Sequence, residues 1–253
     1  MVMLEQRTGL EILYGLHTIR HAKDWSEGIG LQYVFNATTD WYGATTEGND
    51  LDKYGWIITG APPYIVGSLA DFGASDDKGT TGGVHLDTAS DVVQSPQVFG
   101  DFNHMAAICH LLGRISGDGT PDLPRYLEAV FSMRFSATAA EIGTGVGFVE
   151  AGGSAAVAAD HMAAIASDGT NIVLRSGAAT SATILADTLN PFIAKIKVDR
   201  INALAYGWIN DFSGAGKSIA IEADLWPACF GAGVVAAGTN DPVLAWAIVR
   251  YGW

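Results

Sequence analysis

Between residues 126 and 136 the chain reads YLEAVFSMRFS, with apolar side chains at every second position. Leu127, Ala129, Phe131, Met133 and Phe135 share one face. Glu128, Ser132, Arg134 and Ser136 share the other, and Val130 is the exception. A period of two belongs to a strand, whose successive side chains point to opposite sides. One face of this strand is expected in a core. The same alternation returns in PFIAKIKVD, where Phe192, Ala194, Ile196 and Val198 oppose Lys195, Lys197 and Asp199. In KSIAIEADL it sets Ile219, Ile221, Ala223 and Leu225 against Ser218, Glu222 and Asp224, and in ALAYGWIN it places Leu204, Tyr206 and Trp208 on one side. VLAWAIVRYGW, rich in β-branched and aromatic residues, reads as a final strand, and Asp168-Gly169 before NIVLRSG is a hairpin signal. Strands at this spacing, with turn residues between them, predict an all-β fold: an antiparallel sandwich or jelly roll.

All-β sandwiches often reach 253 residues as one domain, and a chain of this length buries a sizeable core. No linker or internal repeat divides it. The expectation is one domain over 1–253, with an irregular arm, early strands and long loops in 1–100 and the main jelly-roll strands in 101–253. Residues 7–20 have helical spacing at Leu10, Leu13, Tyr14 and His17, which predicts a short N-terminal helix or arm. Residues 71–100, rich in Gly, Asp, Ser and Thr, read as extended loop. A loop of that length is usually functional or clamped by a neighbour. The stretch 154–167 is alanine-rich, which favours helix by propensity. Its place before the Asp-Gly turn favours a short helix or loop running into a strand.

Charged residues are 16% of the chain, and the net charge is −13. That average field repels nucleic-acid phosphate and anionic membranes, and no run of Lys or Arg offsets it. No apolar run reaches the length of a transmembrane helix. The N-terminus lacks the basic and apolar regions of a secretory signal, so synthesis in a cytoplasm is expected. Cys109 and Cys229, each in an apolar run, read as buried free thiols.

Motifs that suggest chemistry are each outweighed. DFSGAGKS (211–218) would need Gly at 211 to be a phosphate loop, and it leads into a strand rather than a helix, so a hairpin turn is expected. GTGVG (143–147) lacks dinucleotide-loop spacing and reads as close inter-sheet packing or a bend. His104, Cys109 and His110 cluster without a second half at metal-ligand spacing. Glu222 and Asp224 lie two apart on one strand, as paired carboxylates of glycosidases do, but two solvated carboxylates are favoured. The acidic loops SDDKG (75–79) and SGDGTPD (116–122) match no EF-hand and read as solvated rather than calcium-holding.

From about residue 100 onward the chain resembles the concanavalin A-like lectin/glucanase jelly roll, and is similar to versions found in phage virion proteins. The resemblance is carried by YLEAVFSMRF, EIGTGVGFVEAG, HMAAIASDGTNIVLRSG, PFIAKIKVD, ALAYGWIND and VLAWAIVRYGW. A glucanase pattern E-x-D-x-x-E would require Glu at 227, where Pro227 stands. The resemblance implies a virion structural protein, a capsid decoration (cement) or head-fibre component, made in the host cytoplasm. Its partners would be capsid or other virion proteins in a homo-oligomer. A lectin-like adhesin stays open beside it, with Tyr206 and Trp208 stacking on sugars, as does a glycoside hydrolase using Glu222 and Asp224. The expectation is no enzyme: no catalytic, cofactor-binding or metal residues, no cofactor, no nucleic acid and no membrane, with a glycan admitted as partner. The fold itself serves lectins, enzymes and capsid parts alike.

Overall fold

The computed structural model describes residues 28–34, 57–59, 65–66, 84–86, 92–94, 109, 113–122, 124–135, 145–150, 153–168, 170–177, 180–186, 191–221, 228–234 and 242–252. Among them the strands are β1 (Gly28–Val34), β2 (Ile57–Thr59), β3 (Ile65–Val66), β4 (Val84–His85), β5 (Val92–Gln94), β6 (Tyr126–Phe135), β7 (Gly145–Glu150), β8 (His161–Ser167), β9 (Asn171–Ser176), β10 (Thr180–Ala186), β11 (Phe192–Asp199), β12 (Leu204–Ile209), β13 (Lys217–Ala220), β14 (Ala228–Gly233) and β15 (Pro242–Gly252). They form two antiparallel sheets. Sheet I runs β13-β12-β11-β6-β15-β4-β3, with β1 also on β15; sheet II runs β10-β9-β8-β7-β14-β5-β2. The fold is an all-β jelly-roll sandwich.

The alternation in β6 sets the core. Leu127, Ala129, Phe131, Met133 and Phe135 are all fully buried, and Phe192, Ala194, Ile196 and Val198 of β11 join them. Sheet II answers with Val146, Phe148, Ile165, Ile172, Leu174 and Phe230 in the same cluster. Phe131 of sheet I meets Phe230 of sheet II with ring centres 5.5 Å apart, and Phe230 meets Phe148 edge-on at 6.1 Å. Each fully buried phenylalanine contributes about 1.5–3 kcal/mol of transfer free energy. These rings tie the two sheets together.

β6 lies between β11 and β15, the latter paired from Pro242↔Phe135 to Gly252↔Tyr126. The turns follow the chemistry of their residues. At the β8–β9 hairpin, Asp168 Oδ1 accepts from the backbone N–H of Thr170 and Asn171. DFSGAGKS forms the turn between β12 and β13, with positive φ at Asn210 and Gly216. Both cysteines are buried free thiols.

Three expectations need correction or completion. Residues 71–100 are not loop throughout: they supply β4 to sheet I and β5 to sheet II, and Leu86 and Val92 are buried. Composition hid this because each strand is only two or three residues long. Of the GTGVG glycines, Gly145 and Gly147 serve packing within one sheet, not between sheets, and Gly143 lies outside the described residues. A Cβ on Gly147 would stand 2.2 Å from Ala163 O on the adjacent strand β8. The β7–β8 register also slips next to it, at Phe148/Val149, a bulge that bends the strand locally. Finally, the alanine-rich segment becomes a strap, Gly153–Val157, and a single 3-10 turn, Ala158–Asp160, that leads into β8. The 7–20 helix lies outside the described residues.

Candidate binding face on sheet I

Because one face of β6 and β11 fills the core, their polar alternates line the other side of sheet I. Register brings them into rows. Arg250 of β15, Glu128 of β6, Lys197 of β11, Tyr206 of β12 and Ser218 of β13 stand side by side. In the next row Lys195 pairs with Val130 on one side and Trp208 on the other.

Two nearly buried carboxylates organise this face. Glu128, 6% exposed, receives Lys195 Nζ at 2.9 Å on one oxygen and the Arg250 guanidinium on the other. Asp199, 4% exposed, accepts Arg125 Nε at 3.1 Å and Nη2 at 2.7 Å. It also accepts the backbone N–H of Ile201 and Asn202 and the Asn202 side-chain amide. Burial alone would raise the Asp199 pKa, but the bonds from Arg125 and Asn202 outweigh it and hold the carboxyl below its ordinary value. The β11–β12 turn is therefore fixed from beneath, and it presents Ile201 at 64% exposure.

Cations and aromatics interleave above these anchors. Lys197 Nζ lies 3.9 Å from the centre of the Tyr126 ring, and Arg125 covers that ring at 4.8 Å. Lys195 lies 5.3 Å from the Trp208 ring. Tyr206 and Trp208 stack with centres 6.2 Å apart. Trp208 is seated on the β12–β13 turn, donating Nε1–H to Gly214 O at 2.8 Å. Gly216 lies against the indole, at φ +72°, where a Cβ would come within 2.5 Å of the ring. That turn carries a second exposed apolar side chain, Phe212. Lys197 makes no ion pair among the described residues.

The loop 116–122 is a self-closed hairpin. Asp118 accepts from the Thr120 hydroxyl, the Thr120 N–H and the Ser116 hydroxyl, which lower its pKa to about 2. Among the described residues no group of three His, Cys, Asp or Glu is placed to hold a metal ion, and no helix is long and apolar enough to cross a membrane. Cys109 donates its thiol to Asp122 O, while His104, His110, Glu222, Asp224 and 75–79 lie outside the described residues. Of the residues singled out in the sequence, the structure brings together Tyr206 and Trp208 with Lys195 and Lys197. Sequence reasoning missed Glu128, Asp199 and Tyr126 as their partners. The alternation placed Glu128 and Asp199 on the polar face and left Tyr126 unassigned, and cross-strand neighbours depend on register.

The far side of sheet II holds a polar cluster beneath the strap. Gln94 donates to Gly153 O and accepts from Ala155 N–H, both at 2.9 Å. His161 Nε2 lies 2.8 Å from Ala155 O, and Arg175 Nη2 lies 3.0 Å from His161 Nδ1. Burial first, then the Arg175 charge, lowers His161 to about 4. Neutral His161 thus accepts from Arg175 and donates to the strap.

No protein-family model and no curated protein matches the chain. Solved structures do. A carbohydrate esterase of the Shiga toxin-encoding bacteriophage phi24B is similar at 13% identity and a TM-score of 0.49, over 88% of this chain and 97% of that one. Arcelin-5, a lectin-like defence protein of Phaseolus vulgaris, is similar at 9% identity and 0.45, over 90% and 100%. Peanut lectin is similar at 11% identity and 0.45, over 88% and 97%.

Proposed function

We propose that this protein is a lectin-like binding sandwich that holds a carbohydrate on the outer face of sheet I, as a component of a phage particle. The observation that carries the reading is the interleaving of Lys195 and Lys197 with Tyr126, Tyr206 and Trp208 on one rigid face. Aromatic rings offer an apolar surface to the carbon faces of a sugar, and ammonium groups donate to its hydroxyls. The anchors Glu128 and Asp199 fix these groups before any ligand arrives, which lowers the ordering cost of binding. The reading assigns no catalytic step.

A glycan array with wild type, Lys197→Ala and Trp208→Ala tests this. Wild type should retain a defined glycan class, and each variant should bind it about tenfold more weakly, equivalent to about 1.4 kcal/mol. Unchanged binding by both variants refutes the assignment of the face. Lys197→Ala is the cleaner variant, since it removes no ion pair among the described residues.

A second reading makes the same face an interface with neighbouring capsid or other virion subunits, as in a decoration protein. It is favoured by Ile201 and Phe212, two exposed apolar side chains on turns at opposite ends of β12. Particle binding that is lost with Ile201→Ser and Phe212→Ser, without retention of any glycan, selects this reading.

A further inference from the structure

We propose that the groove between the 113–122 hairpin and Arg200 is the subsite for the carboxylate of an acidic sugar. This rests on the reading of sheet I as a glycan surface and extends it to a ligand class.

The groove has a volume of about 600 Å³, within the usual range of small-ligand clefts of about 300–1,000 Å³. Arg114 and Arg200 reach it from separate parts of the chain, and Ile115, Pro121 and Asp122 complete its lining. A guanidinium meets a carboxylate as a planar fork, so the two arginines that line the groove suit an anion of that shape. Ile115 and Pro121 offer an apolar wall to ring carbons, and Asp122 can accept from hydroxyls.

The walls are built before any ligand enters. Arg114 N–H donates to Cys109 O at 2.7 Å, Asp122 N–H to Arg114 O at 3.0 Å, and Ser116 N–H to Thr120 O at 2.9 Å. Asp118 is turned into its own hairpin by Ser116 and Thr120. Arg200 is held by its Nε donating to Pro124 O at 3.1 Å and its backbone N–H to Arg125 O at 2.9 Å. The Arg114–Asp122 pair, at 3.7 Å with side chains 50% and 54% exposed, is long and wet, and such a pair is easily exchanged. Arg200 directly follows Asp199, whose fork with Arg125 stands at the Tyr126 end of the cationic rows. The groove thus lies next to the Arg125 end of the face, to which Arg200 is tied through the Arg125 carbonyl.

Net charge decides the length of the ligand. Charges beyond about 8 Å are largely screened at physiological salt. A single carboxylate therefore meets the local arginines, while a long polyanion meets the whole chain at −13. Duplex nucleic acid, with one charge per about 1.7 Å, is disfavoured for that reason. The occupant is a short glycan bearing an acidic residue.

The test is an array of carboxylate-bearing glycans, uronic and sialic acid types, each beside its methyl ester, followed by titration calorimetry on the best binder. Acids should bind at least tenfold more tightly than their esters, and Arg114→Gln should abolish that difference. The backbone bonds of residue 114 that shape the hairpin are kept in this variant, and Arg114→Lys should restore part of the preference. If acids and esters bind alike in a Trp208-dependent manner, the subsite is wrong and the sheet-face reading stands. If no glycan of either kind binds, both fall. An Arg114→Gln variant that keeps the full acid preference, or a wild type that holds acidic peptides equally well, also overturns the subsite.

Discussion

His161 is fully buried beside a guanidinium that is itself 4% exposed, and neither group has a carboxylate partner among the described residues. The pair works because the imidazole is neutral: one ring nitrogen accepts from Arg175 while the other donates to Ala155 O. Its folded pKa of about 4 lies below the ordinary 6.5. Below pH 6.5 the unfolded chain takes up a proton that the folded chain refuses. Stability is therefore complete above 6.5 and falls as pH drops from 6.5 to 4, by up to about 3 kcal/mol at roughly 1.4 kcal/mol per unit. Urea midpoints measured across this window should follow that slope, and His161→Asn should flatten it. Asp199 acts in a different window, because its stabilisation is lost only as pH falls below the ordinary carboxylate value. None of this was legible in HMAAIAS, where a histidine heads an apolar run. Its partners come from β9 and from the strap, and Gln94 stands 61 residues before Ala155 in the chain.

At the scale of elements, the period-two segments were legible because burial on one face forces alternation: β11 follows it from Phe192 to Val198, and β6 keeps its five apolar alternates in the core while Glu128 and Ser132 are buried on its other face. β7 and β8 defied it. They are buried on both sides, so GVGFV and MAAIA carry small and apolar residues throughout, with buried His161 heading β8. The cover on their far side is the strap, with Val92, Val149, Ala155 and Cys229 forming a second small core beneath it. Strand β14 meets the strap so closely that a Cβ on Gly233 would stand 2.3 Å from the Ala155 carbonyl. Gly233→Ala should therefore displace the strap at a cost of about 1–3 kcal/mol, the usual penalty of overpacking. The readout is the Cys229 thiol, which burial pushes up to about 12. Its labelling by a thiol reagent, located by mass spectrometry, should accelerate in the variant, with Cys109 as internal control. Labelling at the wild-type rate would show that the strap does not depend on this contact. The candidate face was half legible: Tyr206 and Trp208 were placed on one side from alternation alone, but their neighbours came from register.

On the scale of the whole molecule, fold class followed from strand rhythm, while the order of strands did not, because pairing joins segments far apart in sequence. β6 and β15 show this most sharply. The middle of sheet I is made of a strand that begins at Tyr126 and one that ends at Gly252. During synthesis β6 emerges long before its neighbour exists, and its apolar face waits for Leu244, Ala247 and Val249. The middle of sheet I cannot close until residue 252 has left the ribosome, so its closure is late and slow, in the millisecond-to-second range of non-local β topologies. Nascent chains arrested at residue 241 should remain protease-sensitive and bound by chaperones, and chains extended through residue 252 with a linker long enough to clear the exit tunnel should become resistant. Timing is thus written into the topology: the strand that completes the middle of sheet I is made after nearly everything it holds together.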